Sequence, residues 1–352
     1  MSAAANVAPH VSGTLLISDM HLGLRARQSV LERPEPLERL LEAVRRVDRL
    51  VLLGDTLELA EARPSHALEV AEPILRAIGT ALGSDRELVL VPGNHDHGLV
   101  RGWALAQGDA LAVDSRVPVD SNPMLARIAG WLAPARVEVR YPGVWLSDKV
   151  WATHGHYLDR YLLPVSAHGL IRDRRPLPAG TTPPSDYERL LRPQLGRAVR
   201  WLPSPLAAVV EDLGELLRVS TMPRVNRRML HHRLAPLTSH LLGAQMRRHS
   251  LPAIAQVVRG LGVDAEVVIF GHVHRLGPLA GDDLEEWRGP GGVPRLLNTG
   301  SWRYEALLLH RAQPPHPYWP GGAVAVEDGA EPRAIGLLDG LAVDQLHPPR
   351  VA

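Results

Sequence analysis

The first hundred residues alternate between two hydrophobic periods. Short unbroken apolar runs occur at Thr14–Ser18, Leu50–Leu53 and Leu88–Val91. Runs of this length, ending at Asp19, Gly54 and Pro92, predict buried strands. Between them, Leu37, Leu40, Leu41, Val44 and Val47 recur at helical spacing over Pro36–Val47, and His66–Leu82 repeats that pattern. Three strand–helix units are expected, with mainly parallel pairing. Their strand ends carry Asp19, Asp55 and Asn94.

The pattern then loosens. Val144–Thr153 reads as a strand pair leading to His154, and Val267–Phe270 as a buried strand ending at Gly271-His272. Arg295–Asn298 and Tyr304–Leu309 read as strands around an Asn298-Thr299-Gly300-Ser301 turn, with one more strand at Ala323–Val326. This second half is expected to pair antiparallel. Tyr157–Gly260 interrupts it. That stretch is irregular and proline-rich around Pro176–Ser185, then helical over Leu206–Val219, Arg224–Arg248 and Leu251–Leu261. The expected organisation is a core in two parts, 1–156 and 261–346, a helical cap inserted at 157–260, and a tail at 347–352.

Composition adds three constraints. Of 352 residues 45% are apolar and 22% charged, which suits a folded chain with a sizeable core. There is no cysteine, so disulfides, thiolate metal sites and cysteine nucleophiles are excluded. Met1–Pro9 has neither a basic residue nor an apolar run, and no stretch of 18 apolar residues follows. A secretory signal and a spanning helix are therefore not expected. The expected location is the cytoplasm, free or against a membrane surface. Net charge is +1, but 157–260 carries 16 Arg against 7 acidic residues. This +9 segment is a different surface from the rest, suited to an anionic partner. Among the 39 basic residues only Lys149 is lysine, an arginine bias that covers the whole chain and locates no site.

Five clusters of metal-ligating residues stand after apolar runs: Asp19-Met20-His21, Gly54-Asp55, Gly93-Asn94-His95-Asp96, His154-Gly155-His156 and Gly271-His272-Val273-His274. The strand ends of an open α/β sheet are where such folds build sites. Oxygen and imidazole donors without thiolates suit divalent ions in hydrolysis. Two close ions need a bridging carboxylate, and Asp55 is placed for it. Asp19 and His21, at i and i+2, can face one ion, while His272 and His274 can each serve a different one. Asn94 offers a carbonyl oxygen and His154 an imidazole.

This ordered set resembles the calcineurin-like metallophosphoesterase superfamily. The resemblance implies an α+β fold, a four-layer αββα sandwich. It implies two divalent ions, manganese first, with iron or zinc as alternatives. Asp19, His21, Asp55 and His274 would hold one ion; Asp55, Asn94, His154 and His272 the other. A hydroxide between the ions would attack phosphorus, with His95 serving the leaving oxygen and Asp96 orienting His95. His156 and Arg275 are candidates for substrate contact. Glu58 is either a partner of a ligand or a solvated helix start.

Within the superfamily Ser18–Leu22, Gly54–Glu58 and Gly271–Arg275 are most similar to the bacterial UDP-2,3-diacylglucosamine hydrolase type, whose insertion also precedes the Gly-His-x-His motif. That type has arginine where His95 stands, and a shorter insertion. The chemistry is carried over and the substrate is not. The expected reaction is hydrolysis of a phosphodiester or pyrophosphate bond, in a lipid-linked or nucleotide-linked substrate. A nuclease-like phosphodiesterase acting on DNA or RNA is the alternative. A non-catalytic scaffold of the same fold would have lost ligands that this chain keeps.

Overall fold

A computed structural model describes residues 13–24, 28–162, 180–190, 235–309 and 312–347. Three short apolar strands, β1 (Gly13–Ile17), β2 (Arg49–Leu53) and β3 (Glu87–Val91), pair in parallel, as their patterning predicts. They are linked by α1 (Pro34–Val44) and α2 (Pro64–Leu82), each opened by a proline in its first turn. The next units are α3 (Arg101–Gln107), β4 (Ser115–Arg116), α4 (Pro123–Trp131) and β5 (Arg136–Tyr141). Asn122 caps α4, its side chain accepting from the Met124 amide at 2.8 Å. β5 extends the parallel set beyond β3, and two later strands, β10 (Gly322–Glu327) and β11 (Arg333–Gly336), close the other side antiparallel. The seven-stranded order is β11-β10-β1-β2-β3-β5-β4.

A second sheet has the order β6-β7-β8-β9, from Gly143–Trp145, Val150–Thr153, Val267–Phe270 and Arg295–Asn298. The antiparallel expectation holds for β6 with β7 and, in the first sheet, for β10 over the expected Ala323–Val326, whereas β7, β8 and β9 run parallel. The segment between β7 and β8 acts as a long crossover, which returns a chain parallel to where it left. Tyr304–Leu309 is also corrected, since Ala306–Leu309 forms a short helix. An apolar Leu-Leu-Leu run carries no period that separates strand from helix.

The two sheets face one another. Leu16, Val51, Val89, Ala152, Ile269 and Val324 belong to the cluster between them. α1, α2 and α4 cover the outer face of the first sheet. The outer face of the second is covered by Leu251, Ile254, Val257 and Val258, which pack with Trp151, Val268 and Phe270. Those four residues lie in α7 (Ala235–Gly260). The layers are therefore helix, sheet, sheet and helix, as the sequence resemblance implies.

Two other pieces of 157–260 are described, α5 (Asp159–Leu162) and α6 (Pro184–Leu190). The helix expected over Leu206–Val219 lies outside the described residues, as does Arg224–Leu234. No described helix is long and apolar enough to cross a membrane.

Candidate metal centre

Each ligand motif begins at the C-terminal end of a strand: Asp19 after β1, Asp55 after β2, Asn94 after β3, His154 after β7 and His272 after β8. The two sheets thus bring all five motifs to one edge of the sandwich. Among the described residues, five non-glycine positions have left-handed backbone: Asp19, His21, Asp55, His272 and His274. In both i, i+2 pairs this conformation turns the two outer side chains into the site. The middle residues, Met20 and Val273, are buried in the core. Gly93 permits a close approach, since a Cβ there would lie 2.4 Å from Asp55 Oδ1 and 2.6 Å from His154 Cδ2.

Two groups of donor atoms result. In the first, His21 Nε2 and His274 Nε2 lie 3.3 Å apart, and Asp19 Oδ1 is 3.2 Å from His274 Nε2. In the second, Asn94 Oδ1 is 3.0 Å from both His154 Nε2 and His272 Nδ1. Asp55 Oδ2 lies 3.2 Å from His154 Nε2 and 3.9 Å from His21 Nε2, so it stands between the groups.

The far ring nitrogens decide what the near ones offer. His154 Nδ1 faces the Leu53 carbonyl at 2.9 Å, His21 Nδ1 faces Glu58 at 3.0 Å, and His274 Nδ1 faces Glu305 at 3.1 Å. Carbonyls and carboxylates only accept, so in a neutral ring each far nitrogen carries the hydrogen. The near nitrogens then present lone pairs to one another and to carboxylate oxygens. Asp19 Oδ1 is buried and receives no hydrogen bond from the described residues. Facing lone pairs are repulsive unless a cation lies between them, and an oxygen–imidazole set of this kind fits a divalent ion.

Without an ion, protons serve instead. Burial works against charge on His154, but Asp55 outweighs it, and His154 titrates at about 9. Burial raises the Asp19 carboxyl, and His274 overrides it to leave Asp19 at about 2. Asp55 is held well below the ordinary range against its own burial by His154, His95 and His21.

Glu58 is fully buried and braces two histidines. Its Oε2 takes His21 Nδ1, and its Oε1 takes His95 Nδ1 at 2.9 Å and the Glu61 amide at 2.8 Å. The expected orienting role of Asp96 is thereby corrected. The Asp96 carboxylate accepts instead from the backbone amides of Gly93 at 2.6 Å and Thr56 at 2.8 Å, tying two ligand loops together. Burial and the Asp55 charge push Asp96 up to about 6. His95 points its other nitrogen into the site, with Nε2 4.0 Å from Asp55 Oδ2.

Neither residue expected at the substrate is placed to meet it. Arg275 is buried, pairs with Asp282 at 2.5 Å and lies over the Trp287 ring at 5.1 Å, so its charge is consumed inside the fold. His156 is buried behind His154, with Nε2 3.2 Å from the Tyr141 hydroxyl. Burial, with His154 and His97 nearby, holds it well below the ordinary histidine range. His97 meets Glu188 of α6 at 2.8 Å. Sequence reasoning missed Glu305 altogether; its signal is only its position four residues after the Ser301 end of a ligand-supporting turn. That turn meets the site through Thr299 Oγ1, 2.5 Å from Ser18 Oγ, which in turn donates to Asp19.

Comparison with solved structures finds a cold-active protein-tyrosine phosphatase of a psychrophile, Shewanella sp.. It is 12% identical, with 96% of this chain and 83% of that chain covered and a TM-score of 0.34. A single-substitution mutant of a cold-active protein tyrosine phosphatase matches at 13% identity, with 97% and 84% covered and a TM-score of 0.32. Comparison with curated proteins finds no match. The family model described as calcineurin-like phosphoesterase matches residues 14–276, a span that runs from β1 through all five ligand motifs. With that span covering well over half of its length, the chain belongs to the calcineurin-like phosphoesterase family.

Proposed function

We propose that the chain is a two-metal phosphoesterase that hydrolyses a phosphodiester or pyrophosphate bond in a nucleotide-linked or lipid-linked substrate. The observation that supports this reading is the convergence of Asp19, His21 and His274 on one side and of Asp55, His154 and His272 on the other, with Asp55 also grouped with His21 and His95 between them. Asp19, His21, Asp55 and His274 would hold one ion, and Asp55, Asn94, His154 and His272 the other. Manganese is the proposed metal, with iron or zinc as alternatives, because every donor is oxygen or imidazole. Ions held there would supply a water acidic enough to attack near neutral pH and would screen the phosphoryl charge.

The chain's own residues supply the rest. Glu58 holds His95 by Nδ1, so Nε2 is free to face the ester and give a proton to the leaving oxygen. Despite its burial, His95 is raised to about 10 by Glu58 and Asp55, so it carries that proton at neutral pH. Asp96 fixes the loops that carry Asp55 and His95. The +9 charge of residues 157–260 supports an anionic substrate, and an anionic membrane surface as its source.

The test is turnover of bis-p-nitrophenyl phosphate with manganese, followed by a panel of UDP-linked acyl sugars, phospholipids, CDP-alcohols, cyclic nucleotides and single-stranded DNA. Asp55→Ala should abolish turnover. No hydrolysis by protein carrying two ions would overturn the reading. Faster cleavage of DNA than of every lipid-linked substrate would replace the substrate class with nucleic acid.

A further inference from the structure

We infer that Asp159, at the start of α5, is a positioning residue for the second metal subsite, so that this subsite is completed from the inserted segment and not from the core alone. The inference rests on the two-metal reading above.

His272 Nε2 lies 2.9 Å from Asp159 Oδ1. The ring's other nitrogen, Nδ1, faces Asn94 Oδ1 at 3.0 Å. A carboxylate only accepts, so Asp159 holds the ring hydrogen on Nε2 and leaves the Nδ1 lone pair aimed at the subsite. Without Asp159 the ring is free to keep its hydrogen on Nδ1 and donate it to the Asn94 carbonyl. That tautomer satisfies Asn94 and cannot bind a metal.

The bracing groups of the other ligand histidines come from elsewhere. His154 uses the Leu53 carbonyl of β2, His21 uses Glu58, and His274 uses Glu305. His272 takes its brace from the stretch that leaves the core after His156. The anchoring of that stretch is visible. Leu158 is fully buried, and its amide donates to the Gly155 carbonyl at 2.9 Å. The Tyr157 ring stacks on Tyr187 of α6 at 4.8 Å, and its hydroxyl donates to Glu188 at 2.6 Å. Asp159 is thus presented to His272 by a turn clamped between the core and α6. Its own side chain is 41% exposed, so replacing it removes a contact and not a piece of the core.

The experiment uses the full chain, equilibrated with Mn²⁺ against a graded chelator, with bound metal counted by elemental analysis and manganese pairing followed by electron paramagnetic resonance. Wild type should hold two ions with a coupled-pair signal. Asp159→Ala should hold one as tightly as wild type and bind the second roughly 10–100-fold more weakly, the usual effect of removing a ligand's hydrogen-bond partner. Its signal should change to that of an isolated ion, and excess Mn²⁺ should restore both the pair and the turnover. Asp159→Asn, whose amide oxygen still accepts the Nε2 hydrogen, should recover most of the affinity. A merely structural role would lower the melting temperature and weaken both ions alike, and that result overturns the inference. So does wild-type affinity for both ions in Asp159→Ala. Wild type holding fewer than two ions overturns the two-metal reading itself, and the inference with it.

Discussion

Glu58 and His95, separated by 37 residues in sequence, meet through a 2.9 Å contact between Oε1 and Nδ1, while the same carboxylate takes His21 through Oε2. One buried acid therefore steadies a proposed ligand and the proposed proton donor together. His95→Gln should leave metal content unchanged and slow turnover by about 10²–10⁴-fold, the range for a positioned acid. Glu58→Gln should slow turnover and also weaken metal binding by roughly 10–100-fold, because His21 loses its brace as well. Steady-state kinetics beside elemental analysis separates the two variants; equal metal loss in both would contradict this division of roles.

Loading metal should release protons. In the metal-free protein His154 is raised to about 9, so it is protonated at pH 7.5, whereas a ligand must be the neutral ring. Apparent affinity should therefore rise with pH up to about 9. Titration calorimetry in two buffers of different ionisation enthalpy at pH 7.5 measures the release directly. A value of zero protons would exclude His154 as a ligand.

Gly93→Ala should damage the centre without touching a ligand. The added Cβ would meet Asp55 Oδ1 at 2.4 Å and the Asp55 amide at 2.6 Å, and the backbone atom cannot move aside cheaply. A cost of about 1–3 kcal/mol is expected, as for overpacking elsewhere. Thermal denaturation and metal content should both fall; an unchanged metal content would show that the loop has room the geometry denies it.

Glu188 ties α6 to the core, accepting from Tyr141 at 2.5 Å, Tyr157 at 2.6 Å and His97 at 2.8 Å. Burial pushes its carboxyl up, but the His97 and tyrosine hydrogen bonds outweigh it, and its pKa falls below the ordinary 4.5. A depressed acid stabilises the fold fully above its unfolded value and loses that contribution as pH falls through its folded value. Glu188→Ala should cost about 3 kcal/mol at pH 7 by stranding buried partners. Urea unfolding from pH 7 to pH 3 should show the gap between wild type and variant closing only below about pH 4.5. A gap independent of pH would mean that packing, and not the charge, carries the effect.

The convergence of the five motifs could be read from sequence because each follows an apolar run, and strand ends converge by topology alone. Asp19, Asp55 and Asn94 needed only the three parallel units to be brought together. Their supports were not legible in the same way. Glu58, Asp159 and Glu305 meet their histidines through tertiary placement, and nothing in local spacing distinguishes them from solvated acids. Arg275 misled because adjacency to His274 suggested a shared direction. In the folded chain it turns away to Asp282 and Trp287. β5 went unread, although Arg-Val-Glu-Val-Arg-Tyr alternates with period two, because no metal-ligating motif stands at its end.

The five left-handed positions bear on how this protein could change. Each non-glycine residue held there costs on the order of 1–3 kcal/mol that glycine would not incur, and all five are proposed ligands. A selection for heat resistance alone, run without metal or substrate, would therefore favour His272→Gly over Asp19→Gly, because the buried Asp19 carboxylate also accepts from the His272 amide at 3.0 Å. The variants it enriched would be hardier and inert. Fitness under heat and fitness for chemistry pull this chain in opposite directions at the same few codons.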